Sequence, residues 1–141
     1  MNPRNVIKKM QLEGVSRAKK AFYARIKDAT REVAIGVRDG SNLVRDAARQ
    51  TSAFTDRSGR LRKSINTRKE RSRLGSSFYK IGPDRRKGGF HGHLVELGHK
   101  LVIHGRSAGR VAGRPFMRSA FELRKSDAEQ KVRDAIRRAM K

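Results

Sequence analysis

The chain has 141 residues, the length of one compact domain, and sets 36 Lys and Arg against 13 Asp and Glu for a formal charge of +23. It has no cysteine, which excludes a disulfide scaffold and a thiolate zinc site. No run approaches the length of a membrane span, and the opening MNPRNVIKKM lacks the apolar centre of a signal peptide, so the expected setting is intracellular with no membrane partner. With about one uncompensated positive charge per six residues, the surface calls for an anion, either nucleic acid or an acidic protein or lipid surface. Leu, Ile, Val and Phe make up only about a fifth of the chain, close to the floor for an ordered core, so a partner is expected to complete it.

From Val15 to Ala48 apolar residues recur at steps of three and four through Phe22, Ile26, Val33, Val37 and Val44, which predicts an amphipathic helix over residues 5–50. Pro3 and Asn5 suit its start. Gly36 and Gly40 each cost about 1 kcal/mol relative to alanine inside a helix, so the sequence allows one long helix with a weak point or two helices meeting near Gly40.

TSAFTDRSG, from Thr51, has no period and ends the helix. Residues 60–113 read as strands with basic loops. In the basic stretch RLRKSINTRKERSR only Leu61 and Ile65 can anchor, SSFYKIGP reads as a short strand, and DRRKGGFHGH as an exposed turn or flexible hairpin tip. Leu94, Val95, Leu97, Leu101, Val102 and Ile103 form the most core-like patch outside the helices, split at Gly98 into a short helix or strand and then a strand. In GRSAGRVAGR a glycine precedes each of Arg106, Arg110 and Arg114, a density that forbids a helix and suggests a flexible basic loop. Pro115 suits a first helical residue, and Phe116, Ala120, Leu123, Val132 and Ile136 continue a closing helix over 115–140. The fold class is therefore α+β, a single domain over 1–141, with a long N-terminal helix, a small antiparallel sheet and a C-terminal helix packed on it.

Catalytic chemistry finds little support. His91, His93, His99 and His104 crowd near Glu96, but their spacing is not that of a zinc hydrolase, and a divalent cation would meet adverse charge, so no metal or cofactor is expected. No serine sits in a glycine-flanked elbow, and GRSAGRVAGR lacks the terminal Gly-Lys-Ser or Gly-Lys-Thr of a nucleotide loop. Glu96, alone among apolar neighbours, is either a partly buried acid paired with an arginine or an interface contact.

Three segments carry a resemblance. Ser58-Gly59-Arg60-Leu61-Arg62-Lys63-Ser64-Ile65 resembles a T-G-x-L-x-x-S-I element, His93-Leu94-Val95-Glu96-Leu97-Gly98-His99 a Y-A-x-x-V-E-F-G-T element, and Arg114 to Phe121 a P-F-L-R-P-A-F element. Taken in order, with helices before and after, they are similar to the bacteriophage tail-completion proteins, the minor tail protein Z-like or neck tail-component family. Ser58, His93, His99 and Ser119 depart from the pattern.

The resemblance implies a non-catalytic virion protein that completes the tail and joins it to the head, assembled in the host cytoplasm. Its implied partners are connector and tail-terminator or tail-tube proteins, in a homo-oligomeric ring whose arginine-rich loops could meet DNA in the neck channel. Interaction candidates are Gly59, Arg60, Leu61, Glu96, Gly98, Arg106, Arg110, Arg114 and Phe116. The alternative from charge alone is a histone-like DNA-binding module.

Overall fold

The computed structural model describes residues 3–71 and 77–141, with residues 3–12 as backbone only. The end of the basic stretch and the first residue of SSFYKIGP, within 72–76, lie outside the described residues. The order is α1 (Pro3–Gln50), α2 (Arg60–Ser64), β1 (Ile65–Glu70), β2 (Phe78–Pro83), a 3-10 turn (Arg85–Lys87), α3 (Gly92–Leu97), β3 (Gly98–Ile103), β4 (Arg106–Ala112) and α4 (Phe116–Ala139). Strands β1 and β2 pair antiparallel, as do β3 and β4, so the strands form two separate ribbons in an α+β fold.

Helix α1 is continuous through Gly36 and Gly40, and the reason lies in α4. A Cβ on Gly36 would collide with the Cβ of Ala135, and one on Gly40 would stand 2.9 Å from the backbone oxygen of Ala128. The two glycines let the helices run antiparallel at close range, a packing gain that offsets their cost in helix propensity. Farther along the pair, Arg138 reaches Glu32 at 3.5 Å and Arg25 donates to the carbonyl of Lys141 at 3.4 Å. Along this seam Phe121 and Lys125 of α4 line a groove with Val37 and Val44 of α1 and Tyr79 and Ile81 of β2.

At the C-terminal end of α1 lies the core: Ala48, Phe54, Leu61, Ile65, Phe116 and Ala120 are all buried. The rings of Phe54 and Phe116 stand 4.7 Å apart at 58°, within the favourable range for an aromatic pair. Two arginines fasten this corner. Arg62 donates to the carbonyls of Arg49 at 2.6 Å and Phe54 at 2.9 Å, with its guanidinium 4.6 Å above the Phe54 ring. Arg49 in turn donates to the Ile65 carbonyl at 2.8 Å and to Asn66 Oδ1 at 3.1 Å. A carbonyl left free where α1 ends thus acquires a charged donor.

Three expectations need correcting. The segment DRRKGGFHGH is not a loose tip, because Gly89 and Gly92 are buried against Ser64 and Pro83. The glycine-rich stretch after Gly105 is a strand, not a loop. His104 (φ 49°) and Gly105 (φ 78°) make the two-residue turn, and Gly109 (φ 116°) stands where a register shift lets Ala108 bulge out. Glycine spacing that forbids a helix thus serves the turn and the bulge of a hairpin. The third correction is to the apolar patch. Leu97, Leu101, Val102 and Ile103 are exposed, and only Leu94 and Val95 pack inward, because β3 extends away from the core with β4 as its one strand partner among the described residues.

Candidate functional site

Five of the nine candidate residues build the junction between the core and α4. Gly59 (φ 66°) precedes α2, whose Leu61 is buried, and Asp56 closes that helix's start by accepting from the Arg62 amide at 2.8 Å. Burial pushes the Asp56 carboxyl up, but hydrogen bonds from the Arg62 and Gly59 amides and the Ser58 hydroxyl, with the Arg62 charge, bring it below its usual value.

Among the described residues Glu96 forms no ion pair with an arginine. Its two carboxylate oxygens accept from the amides of Met117 at 2.9 Å and Arg118 at 3.1 Å. Helix α4 follows Pro115, which offers no capping side chain, so Glu96 on α3 satisfies two of its free amides and places negative charge at the positive helix end. Gly98 closes the same joint, since a Cβ there would strike the carbonyl of Val111. The Arg114 amide donates to the Val95 carbonyl at 2.7 Å, and Phe116 is 0% exposed.

The remaining four, Arg60, Arg106, Arg110 and Arg114, are exposed. Pairing Lys100 with Arg110 and Ile103 with Arg106 puts these two arginines on opposite faces of the β3–β4 ribbon. One face carries Lys100, Arg110 and Val102. The other carries Leu101, Ile103 and Arg106, and at its base His99 and Val111 join Phe54, Leu61, Leu94 and Val95 around a groove of about 430 Å³. Lys100 escaped the sequence reading because its meaning depends on register.

A second exposed surface lies on α1. At 1.5 Å per residue α1 is about 72 Å long and α4 about 36 Å, so α4 covers half of it. Residues before Arg25 extend beyond the end of α4, with Val15, Phe22 and Tyr23 exposed, Phe22 by 64%. The periodic stripe is helical, as the sequence predicts, but here it has no neighbour among the described residues.

The histidines do not converge. His91 precedes α3, His93 is on it, and His99 and His104 lie toward opposite ends of β3; among the described residues no group of three His, Asp or Glu is arranged to hold a metal. No helix among them is long and apolar enough to cross a membrane.

Charged arms around a small junction describe a protein built to sit against others, and the family comparison gives the class. The chain belongs to the HK97-gp10-like family, described as "Bacteriophage HK97-gp10, putative tail-component", whose profile matches residues 13–98. That span takes in α1 from Glu13 and the first two resembling segments up to Gly98, and stops short of Arg114 to Phe121. The family's role is that of a phage tail component, a structural part of the virion. Comparisons with curated proteins and with solved structures returned no match.

Proposed function

We propose that the protein completes the phage tail and joins it to the head connector, without catalysis and without a cofactor. It works as a homo-oligomeric ring in the neck, assembled in the host cytoplasm, with connector protein on one side and tail-terminator or tail-tube protein on the other. The observation that carries this reading is the unequal covering of α1. A ring built by heterologous contacts needs two different patches on each subunit. The α1 overhang leaves the molecule beyond the end of α4, while the β3–β4 ribbon springs from its start.

A second reading, contact with DNA in the neck channel, draws on one sequence feature. Between Glu96 and Glu122 the chain carries Lys100, Arg106, Arg110, Arg114 and Arg118 and no carboxylate.

Deletion of the gene from its phage, followed by electron microscopy of the lysate, tests the joining role. Separate filled heads and tails are expected, and joined particles in normal number would refute it. Sedimentation of the purified chain with and without duplex DNA at physiological salt separates ring from DNA-bound monomer. A ring that ignores DNA supports the first reading, and a monomer that binds it supports the second.

A further inference from the structure

We propose that the β3–β4 ribbon is a finger that enters a slot in a neighbouring protein, with one wall of the slot apolar and the other bearing carboxylates. This rests on the joining role and names the chemistry of the partner.

Three observations support it. Lys100 and Arg110 are directly opposed across the strands, a like-charge pair that weakens a ribbon unless an anion lies against it. Neither takes part in an ion pair among the described residues, and the sequence places no carboxylate between Glu96 and Glu122. An anion for this face must therefore come from elsewhere. The opposite face presents Leu101 and Ile103 to solvent, with Arg106 beside Ile103 at the turn end, and continues at its base into the apolar groove. There His99 Nδ1 is buried with no hydrogen-bond partner, so a polar group of the occupant could complete it.

The third observation concerns the ribbon itself. An isolated two-stranded hairpin is marginally stable in water, and this one has only its base attached to the body. A slot would cover both faces. Nucleic acid would satisfy the cations but gain nothing from Leu101, Val102 and Ile103, so the apolar side chains favour protein.

Lys100→Glu on the cationic face and Ile103→Thr on the apolar face test this in the full chain, supplied in trans to a phage lacking its own copy. Lys100→Glu places a carboxylate opposite Arg110, so the purified protein should melt no lower than wild type while the yield of infectious particles falls by about tenfold or more. Ile103→Thr, on the apolar face, should lower the yield without changing the melting temperature or the affinity for a short DNA duplex. Normal yields with both variants overturn the proposal and leave the joining role standing. A yield that does not depend on the gene overturns the joining role instead. A lower melting temperature for Lys100→Glu removes the like-charge argument. Loss of duplex binding by Lys100→Glu, with no effect of Ile103→Thr on yield, assigns the finger to DNA and also overturns it.

Discussion

The two ends of α1 have different surroundings. Around Ala48 the helix is held by buried phenylalanines and two arginines that tie backbone carbonyls, and Glu96 nearby closes the start of α4. Around Phe22 the same periodic stripe faces solvent. One amphipathic pattern thus serves both as core and as open surface, and the difference is set by how far α4 reaches. Periodicity shows which face of a helix is apolar; the length of the partner helix shows how much of that face the fold itself uses.

Substitutions in the junction should cost far more stability than substitutions in the overhang. Phe116→Ala, which removes one ring of the buried pair, should destabilise by about 3–5 kcal/mol in chemical denaturation. A loss below about 1 kcal/mol would mean that Phe116 is not the anchor. Gly40→Val forces a side chain against the Ala128 backbone and should cost about 1–3 kcal/mol. No loss there would mean that α4 does not approach α1 so closely. Glu96→Ala leaves the amides of Met117 and Arg118 without their acceptor and should cost about 1 kcal/mol, read as a lower denaturation midpoint.

The smallest expected effect is that of acid. The carboxyls of Asp56 and Asp84 both lie below their usual value in the folded protein. Burial raises Asp84, and its bonds to the Arg68 side chain and the Arg86 amide outweigh that; Asp56 is balanced in the same sense by the Arg62 and Gly59 amides. A depressed carboxylate contributes stability above its unfolded pKa of about 3.9 and loses that contribution as pH falls toward its folded value. Denaturation midpoints should hold near neutral pH and fall below about pH 4, with a shallower fall for Asp56→Asn.

Much of the fold was legible because local signals agreed. The stripe of α1, the anchors Leu61 and Ile65, the break at Gly98 and the start of α4 within one residue of Pro115, which occupies the N-cap and is not the first helical residue, each rest on neighbouring residues alone. What was not legible depends on contact across the chain. Gly36 and Gly40 look like weak points until α4 lies against them. Glu96 looks like a stray acid until its amide donors arrive from twenty residues later. The run from Leu101 to Ile103 looks like core because hydropathy carries no information about whether a strand has anything on its faces. At the candidate surfaces the exposed arginines were readable by type, whereas the opposition of Lys100 and Arg110 depends on strand register. The length of α1 against α4 could have shown the overhang in advance.

Hydrogen exchange on the isolated protein and on purified tails tests the division between junction and arms most directly. The amides around Phe116 and Ile65 should be equally protected in both, while those of α1 before Arg25 and of the β3–β4 ribbon should exchange quickly in isolation and slow by about a hundredfold or more in the tail. Arms already protected in the isolated chain, or still fast in the assembled tail, would contradict the division.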